Sequence, residues 1–418
     1  MPYYSCSDYR GIATLLRSDC GLTHPANLLT FSQRWHVTWT LSTARPYFAN
    51  VELVAFIVFG LYILLIGFAL LGWLLSASAF DPTFEREDEK ISVVIPARNE
   101  AHNIPPLLSD LAEQSYHNFE VIVVDDHSSD GTADVARGTN LPNLTVLQLT
   151  DGEGKKAAIT EGIMTATGSL ILTTDADCRM GHRWIETMSA HYAYLEPKML
   201  LGPVAVEGRG LLGAFQAIDM FVLMLFTCAA ARFRKPILAN GANLLFAKTD
   251  FEEVGGFAGY AHISSGDDVL LMQKFAKRFG SNSIRFVKSQ EAIVRTKAQR
   301  NVKQLVAQRV RWLSKRGSMG APARFLMVLV YVLVVAFLGI LGFYSLNQDV
   351  FMGANELPLM VAAGVTMAGL LIAASFFRRM RYMVWLPVVL TIYPVYVAAI
   401  PIIALFSRPA WKGRPVKS

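Results

Sequence analysis

Residues 91–128 read ISVVIPARNEAHNIPPLLSDLAEQSYHNFEVIVVDDHS, and the fold class can be inferred outward from them. They begin with a run of β-branched residues, Ile91–Ala97, and reach a second run, Phe119–Val124, that is rich in Val and Ile. The segment between the two runs, from about Asn103 to Gln114, has a helical pattern. A strand, a helix and another strand in this order predict a βαβ unit with parallel strands.

The same alternation continues further along the chain. We predict helices over about Gly131–Ala136 and Lys155–Thr167, and strands near Thr145–Gln148 and Leu170–Thr174. The predicted fold class is therefore α/β, with a Rossmann-like mixed sheet that is mostly parallel. Ligands of such sheets collect at the carboxyl ends of the strands. Four aspartates stand at predicted strand ends, namely Asp125, Asp126, Asp175 and Asp177.

The composition indicates an integral membrane protein. Hydrophobic residues make up 53% of the chain, charged residues only 17%, and the mean hydropathy is +0.34. Four runs contain no charged residue: Leu53–Ala77, Phe325–Tyr344, Leu357–Phe377 and Met383–Phe406. Each is about as long as the roughly 20 residues that cross a bilayer. Core helices of a soluble protein are the weaker interpretation, because such helices are rarely uncharged on all faces over this length.

These runs divide the chain into four predicted regions. Residues 1–50 form a tail of unknown role, either disordered or preceding the true start of the protein. Residues 51–80 contain a transmembrane helix, residues 85–320 form an α/β domain, and residues 323–407 form a membrane region of two to three helices. A fifth apolar segment, Leu211–Ala231, contains Gln216 and Asp219, which are costly inside a bilayer. We expect it to be an amphipathic helix lying against the membrane surface.

Flanking charges predict the orientation of the domain. Three arginines (Arg378, Arg379 and Arg381) separate the third and fourth runs, whereas Asn347–Glu356 contains two acids and no base. The positive-inside rule then places the domain in the cytoplasm, at the inner or plasma membrane. Four complete spans would leave the basic C-terminus outside, so the last run, with Pro387, Pro394 and Pro401, either crosses the membrane or is broken and returns inward.

The cysteines argue against a disulfide framework or a zinc site, and the charge argues against nucleic-acid binding. The four cysteines have no spacing typical of a disulfide framework or a zinc site. The net charge of +6 is modest, and the basic clusters flank the membrane runs, which favours lipid headgroups over nucleic acid as their partner.

One of the strand ends carries a pattern suited to a metal and a phosphate. Asp175 and Asp177 stand two residues apart, so their carboxylates can share one divalent cation and its phosphate ligands. A turn-capping role is the alternative, as it is for Asp125 and Asp126.

Two further motifs lie downstream. Asp267 and Asp268 follow Gly266, where they either cap the next helix or hold a carboxylate over an acceptor. On a helix, Gln308, Arg311 and Trp312 share one face, which suits phosphate and sugar contacts. The alternative for this segment is a basic helix whose side chains reach the lipid headgroups.

Taken in order, these motifs resemble glycosyltransferase family 2, the inverting GT-A enzymes, and within it the membrane-bound branch of cellulose, hyaluronan and poly-N-acetylglucosamine synthases. The resemblance covers about Ile91–Trp312. Its motifs are VVIPARNE (93–100), VDDHS (124–128), GK (154–155), DAD (175–177), GDD (266–268) and QRVRW (308–312).

The resemblance implies a role for each matching residue. Donor binding falls to Pro96, Ala97, Asn99, Glu100, Asp125, Asp126, Lys155 and Asp175. Asp177, with Asp175, is implied to bind Mg²⁺ or Mn²⁺. Asp268 is implied to be the catalytic base beside Asp267. The diphosphate and acceptor are assigned to Asn240, Gly241, Gln308, Arg309, Arg311 and Trp312.

The implied reaction is inverting transfer of a hexose or N-acetylhexosamine from a nucleotide sugar to a lipid, lipid-linked or polysaccharide acceptor. Two departures from the family pattern stand out. The third acidic motif reads Gly-Asp-Asp rather than Thr-Glu-Asp, and the membrane portion is small for a polymer-exporting synthase. A processive polysaccharide synthase is the nearest alternative. More distant ones are a transporter with a nucleotide-sensing domain and a nucleotidyltransferase.

Overall fold

The structure is a computed structural model that describes residues 26–76, 89–260, 266–314, 319–346, 356–407, 410–411 and 414–415. Only the backbone is described for residues 26–49. The prediction for residues 1–50 therefore lies partly outside the described residues, as does the acidic segment Asn347–Glu356 except for its last residue.

Helices and strands alternate through the middle of the chain, between one long apolar helix and three C-terminal ones. The first half contains α1 (Ala26–Leu75), β1 (Ile91–Ala97), α2 (Ile104–Ala112), β2 (Phe119–Asp125), α3 (Thr132–Arg137), β3 (Leu144–Gln148), α4 (Lys155–Thr165), β4 (Leu170–Thr173), α5 (Trp184–Leu195), β5 (Met199–Leu201) and β6 (Val204–Glu207). The second half contains α6 (Gly210–Arg232), β7 (Leu244–Ala247), α7 (Lys248–Glu253), α8 (Asp267–Phe279), β8 (Ile284–Phe286), β9 (Val294–Lys297), α9 (Val302–Ser314), α10 (Ala321–Leu346), α11 (Glu356–Phe376), α12 (Leu386–Phe406), β10 (Ala410–Trp411) and β11 (Arg414–Pro415). Short 3₁₀ segments lie at Ser281–Ser283 and Met380–Trp385.

Seven strands form the central sheet of the described residues, in the order β3-β2-β1-β4-β7-β5-β8. Strand β7 runs antiparallel to its neighbours β4 and β5, and the other pairs are parallel. The prediction of a mixed α/β sheet is confirmed. Strand β1 is buried on both faces, with Val93 and Ile95 in one core cluster and Val94 in another. This is why its sequence is apolar at every position except Ser92 rather than alternating.

The first four strands and the first three helices of the domain lie where the sequence predicts them, to within two residues at most boundaries. Strand β1 occupies the predicted Ile91–Ala97, and α4 begins at the predicted Lys155. Parallel strands β2, β1 and β4 point the same way, so Asp125, Asp126 and the Asp175 segment arrive at one edge of the sheet.

Helix α6 corrects the expectation of an amphipathic surface helix. It is buried along most of its length, because it packs against the sheet side of the domain and against α1 and α11. It also cannot cross a membrane completely. Strand β7 follows α6 in the chain yet is hydrogen-bonded between β4 and β5, which precede it. Strands of one sheet lie on one side of a bilayer, so α6 begins and ends on the same side.

Five described helices are long and apolar enough to cross a membrane, by length and composition alone: residues 50–75, 210–232, 321–346, 356–376 and 380–406. Helix α12 continues through Pro394 and Pro401, with Pro387 in its first turn. The structure thus favours an uninterrupted last helix over a broken one. Helix α1 begins at Ala26, well before the predicted start of the first span.

Candidate active site

The predicted site residues gather around the ammonium group of Lys155, the first residue of α4. The Lys155 Nζ lies 2.6 Å from Asp175 Oδ1 and 3.3 Å from Asp267 Oδ2. Asp175 follows β4, whereas Asp267 opens α8, so the fold brings together residues that are far apart in the chain. We call Lys155, Asp175, Asp267 and Asp268 the acidic cluster.

The charge of Lys155 is stabilised by its surroundings. Burial alone lowers the pKa of Lys155, but the carboxylates of Asp175 and then Asp267 outweigh it and raise the pKa above its usual value. The side chain therefore stays a cation throughout the physiological range. A fixed positive charge beside carboxylates at a sheet edge suits a diphosphate that shares the site with a metal ion.

Gly241 allows the chain to approach the acidic cluster closely. A Cβ at this position would lie 3.0 Å from both Asp267 Oδ2 and Lys155 Nζ. The Gly241 amide donates a hydrogen bond to Asp268 Oδ2 at 3.3 Å, and its carbonyl accepts one from Thr173 Oγ1 at 2.9 Å. A side chain here would displace the Asp267 carboxylate and the Lys155 ammonium slightly. Thr173 was not among the predicted residues, although its position as a polar residue at the end of a strand could have indicated it.

Asp267 and Asp268 form the first turn of α8, as the capping interpretation expected, but neither acts as the N-cap. Gly266 holds that position, without a side-chain bond to the helix. The positive end of the helix dipole attracts negative groups in the first turn of a helix. The Asp268 Oδ1 also accepts the amide hydrogen of Val269 at 2.7 Å.

Helix α9 adds Arg311 to the surroundings of the cluster. Burial lowers the pKa of Arg311, while the nearby carboxylates of Asp175 and Asp267 act in the opposite direction. An arginine remains charged under such conditions. Gln308 and Trp312, predicted on the same face, are half-buried.

Arg309 is not brought to the acidic cluster. Its guanidinium donates to Asp219 Oδ2 at 2.5 Å and to the Tyr396 hydroxyl at 2.9 Å, while Tyr393 donates to Asp219 Oδ1 at 2.9 Å. The guanidinium carbon also lies 3.9 Å from the ring centroid of Trp312. These contacts tie α9 to α6 and α12 and favour a structural role for Arg309, and its implied contact with diphosphate or acceptor stays a prediction.

The loops after β1 and β2 interlock beside the cluster. The Asn99 amide donates to Ser128 Oγ at 2.8 Å, and the Ser129 amide donates to Asn99 Oδ1 at 2.8 Å. Asn99 has a φ of 50° and His127 a φ of 55°, a left-handed conformation that is costly for a residue with a side chain. Such local strain persists where the surrounding contacts fix it, and it is frequent at ligand sites.

Two buried aspartates line the end of β2. Asp125 Oδ2 accepts the Ser128 amide hydrogen at 3.2 Å, whereas Asp125 Oδ1 is buried without a hydrogen-bond partner among the described residues. The Asp126 amide donates to the Ala97 carbonyl at 2.8 Å, and the Arg98 guanidinium donates to the Asp126 carbonyl at 2.7 Å. An unpaired carboxylate oxygen is costly. It therefore marks a place where a ligand hydroxyl or N–H group would be stabilised.

The remaining predicted donor and acceptor residues border these groups. Pro96 is the residue before Ala97 in β1, and the Glu100 amide donates to Thr132 Oγ1 at 2.8 Å. Asn240 precedes Gly241, and its Oδ1 accepts the Ala242 amide hydrogen at 3.1 Å, which shapes the turn that carries Gly241.

The carboxylates of Asp175 and Asp177 fit a divalent metal ion that also binds phosphate. Asp177 is half-buried, and its Oδ2 accepts a hydrogen bond from Thr296 Oγ1 at 3.3 Å. Within the described ranges no three His, Cys, Asp or Glu residues are grouped for metal binding. Asp177 and Asp175 thus offer two carboxylates at most. Mg²⁺ is commonly held by one or two carboxylates with substrate phosphates completing the shell, so this set fits such an ion.

Comparison with known proteins bears on the family and the fold of the domain. Residues 92–258 match the model of Glycosyl transferase family 2. Glycosyltransferase AglE of Haloferax volcanii is 31% identical over 183 residues, which cover 43% of this chain and 59% of that protein. The undecaprenyl-phosphate 4-deoxy-4-formamido-L-arabinose transferase of Aeromonas hydrophila is 40% identical over 93 residues, 21% of this chain and 28% of that protein. The chain thus matches less than two thirds of the length of these curated relatives.

A solved structure supports the fold. The mannosyltransferase PcManGT from Pyrobaculum calidifontis, in complex with GDP-Man and Mn²⁺, superposes with a TM-score of 0.50 at 22% identity. The match covers 85% of this chain and 99% of that one. Together with the seven-stranded sheet, the family match leads to one conclusion: residues 92–258 form a glycosyltransferase family 2 domain with a GT-A fold.

Proposed function

We propose that this protein transfers a sugar from a nucleotide-diphosphate sugar to an acceptor at a membrane, with inversion at the anomeric carbon. The observation that carries the proposal is the acidic cluster, in which Lys155 lies between Asp175 and Asp267 at the carboxyl ends of the strands of a family 2 domain. This arrangement offers a cation for the leaving diphosphate and carboxylates for a metal ion and a proton within one small volume.

The nucleoside would bind along the loops after β1 and β2. The unpaired Asp125 Oδ1 supports this assignment, because it can accept a hydrogen bond from the base or the ribose. Lys155 and Arg311 would hold the diphosphate. Asp177, with Asp175, would bind Mg²⁺ or Mn²⁺, which neutralises charge on the leaving diphosphate when bound.

Asp268 is the proposed general base. In a single displacement by an acceptor hydroxyl, the hydroxyl oxygen bonds to the anomeric carbon, the bond from that carbon to the diphosphate breaks, and the hydroxyl proton passes to Asp268. Asp267 is paired with Lys155 at 3.3 Å, and the Asp268 carboxylate accepts hydrogen bonds from the amides of Gly241 and Val269. These amide donors fix the direction of the Asp268 carboxylate, which suits it to take a proton from the acceptor.

A lipid or lipid-linked acceptor is supported by the apolar helices around the domain. It is also supported by the names of two relatives, the undecaprenyl-phosphate transferase described above and the dodecaprenyl-phosphate galacturonate synthase of Rhizobium johnstonii, 35% identical over 119 residues. We place the protein in the inner or plasma membrane as a multi-pass protein, with the domain in the cytoplasm where nucleotide sugars are made. No specific feature of the described residues favours a processive synthase.

A donor screen tests the proposal. Purified full-length protein is incubated with a panel of nucleotide sugars and Mg²⁺ or Mn²⁺, with and without a polyprenyl-phosphate acceptor, and release of nucleoside diphosphate is measured. We expect release with one or a few donors, its loss in excess EDTA, and its loss in Asp177→Asn. Absence of release with every donor and acceptor would reject the activity. Full activity of folded Asp177→Asn would reject the metal assignment alone.

A further inference from the structure

A cavity lies where the domain meets the C-terminal apolar helices, and none of the four residues of the acidic cluster lines it. It has a volume of about 600 Å³ and lies between the turn from β6 to α6, the end of β9 and the 3₁₀ segment Met380–Trp385. Three cations, Arg209, Lys297 and Arg381, line it together with Tyr382 and Trp385. We call it the juxtamembrane cavity.

The juxtamembrane cavity carries excess positive charge. Arg209, Lys297 and Arg381 are exposed, and none lies within salt-bridge distance of a carboxylate in the described part of the chain. Glu207, the acid in the lining, is already paired with Arg379 and with Arg295, whose Nε lies 3.4 Å away. Three cations around one cavity repel one another unless an anion occupies it.

The wall of the cavity is held in place by a buried tyrosine. The Tyr382 hydroxyl donates to the Gly208 carbonyl at 3.0 Å and accepts the Gly208 amide hydrogen at 3.2 Å. These two bonds fix the 3₁₀ segment against the turn before α6, so Arg381 and Arg209 face one cavity from different parts of the chain. A preorganised site of this kind loses little entropy when it binds an anion.

Its surroundings indicate the source of the anion. The 3₁₀ segment joins α11 and α12, both apolar enough to cross a membrane, and Trp385 at its end is 38% exposed. Tryptophan and tyrosine are enriched at the level of lipid headgroups. Guanidinium and ammonium groups at that level suit a phosphate, because arginine binds it with two parallel hydrogen bonds.

The cavity also adjoins the proposed reaction site along β9. Lys297 lines the cavity, and the preceding residue, Thr296, donates to Asp177. The Lys297 ammonium lies 2.5 Å from Asn103 Oδ1, and Asn103 in turn donates to Glu100 of the donor-binding motif. A group bound in the cavity is thus linked to both the metal and the nucleoside sides of the site.

We infer that the juxtamembrane cavity binds the phosphate headgroup of a membrane lipid and thereby holds a lipid-linked acceptor beside the donor. This inference rests on the proposed function for the role of the bound lipid, but the binding itself can be measured separately.

Native mass spectrometry of the full chain tests the binding. The protein in neutral detergent is incubated with equal amounts of phosphatidic acid and phosphatidylcholine, and the retained lipids are compared. We expect preferential retention of phosphatidic acid, reduced about tenfold (about 1.4 kcal/mol) in the double variant Arg209→Gln/Arg381→Gln, because the variant removes two of the three cations that line the cavity. If the double variant folds poorly, Lys297→Gln, a single substitution at an exposed residue of the cavity, is used in its place. The matched control is Arg324→Gln, an exposed arginine in the first turn of α10.

The outcomes separate the lipid, a free anion and the proposed function. We expect the lipid to stay bound in an excess of inorganic phosphate. Displacement of the lipid by phosphate would reject a lipid site in favour of a free-anion site. No preference for phosphatidic acid, or equal loss in Arg324→Gln, would also overturn the inference. Release of nucleoside diphosphate by the wild type is measured in parallel. Retained lipid without such release rejects the proposed function alone, and release without lipid preference rejects this inference alone.

Discussion

Among single residues, the two neighbouring aspartates of α8 differ in what they contact. Asp267 faces the ammonium of Lys155, whereas Asp268 accepts the amide hydrogen of Gly241. We expect Asp268→Asn to lower turnover by about 10²–10⁴, the usual contribution of a general base, with donor affinity little changed. Asp267→Asn should reduce turnover less and weaken donor binding, because it removes a partner of Lys155. Steady-state kinetics and donor titration of both variants check this, and a larger loss of turnover in Asp267→Asn would move the base one residue earlier.

Lys155 is expected to act on the diphosphate through its charge. Lys155→Met should lower turnover by about 10²–10³, the loss typical of one preorganised electrostatic group. Because the pKa of Lys155 is raised above its usual 10.5, the rate should show no fall from loss of this proton as pH rises to that value. The matched control is Lys277→Met, an exposed lysine on α8 that should leave turnover unchanged. A pH–rate profile and donor kinetics make the measurement, and a Lys155→Met enzyme with wild-type turnover would contradict the assignment.

At the level of elements, Glu120 joins three strand ends on the side of the sheet opposite the site. Burial raises the pKa of Glu120, but hydrogen bonds outweigh it and lower the pKa to about 2, from Ser92 Oγ at 2.6 Å and from the amide and hydroxyl of Thr167 at 2.7 and 2.8 Å. A lowered pKa means that the stabilisation is complete above the unfolded value of 4.5 and is lost as pH falls towards about 2.

We therefore expect Glu120→Gln to lower the free energy of unfolding at pH 7 by about 1–3 kcal/mol. The difference from wild type should shrink as pH is lowered through 4.5 towards 2. Thermal unfolding in detergent at stepped pH checks this, with Glu161→Gln, an exposed residue on α4, as control. A constant difference across this pH range would contradict the mechanism.

The ion pair between Arg309 and Asp219 joins α9 to α6, and both side chains are only 7% exposed. Breaking a buried pair leaves an uncompensated charge and costs about 3–5 kcal/mol. Arg309→Gln and Asp219→Asn should each lower the melting temperature markedly, and the double variant should lose less than the sum of the two because they share one interaction. Lys303→Gln on the exposed side of α9 is the control.

The same variants separate a structural role for Arg309 from the ligand contact that the family resemblance implies. A residue that binds diphosphate would raise the KM for the donor when replaced and leave the melting temperature unchanged. Additive losses in the double variant, or a pure KM effect in Arg309→Gln, would therefore contradict the structural role.

Across the whole molecule, the sheet order limits the membrane topology. Because α6 starts and ends on the domain side, four apolar helices of the described residues remain as candidates for crossing: α1, α10, α11 and α12. With the domain in the cytoplasm, a cysteine at Gln348 should react with an impermeant maleimide in intact cells, whereas a cysteine at Asp151, exposed on the domain, should react only after lysis. The native cysteines are first replaced by serine. Labelling of the Asp151 position in intact cells would reverse the orientation and remove access to cytoplasmic nucleotide sugars.

Local sequence determined the strands, the order of the motifs and the membrane-protein class. Ile91–Ala97 and Phe119–Asp125 are rich in Val and Ile, which suits buried strands, and the polar residues that follow them can be read directly from the chain. Asp175 and Asp177 could be singled out because the apolar strand before them stops abruptly. These features depend on neighbours within a few residues, which is the range that periodicity and propensity cover.

Tertiary structure alone decided which distant groups meet. Lys155 pairs with Asp267, and Arg309 with Asp219, across roughly 90 or more positions of the chain. Helix α6 is likewise buried by segments from other parts of the chain. An apolar helix with one aspartate has the same sequence pattern whether it lies on a membrane or inside a protein. The position of α6 is fixed by two contacts: Arg309 neutralises Asp219, and strand β7 pairs between β4 and β5. The periodicity of the helix itself indicates neither contact.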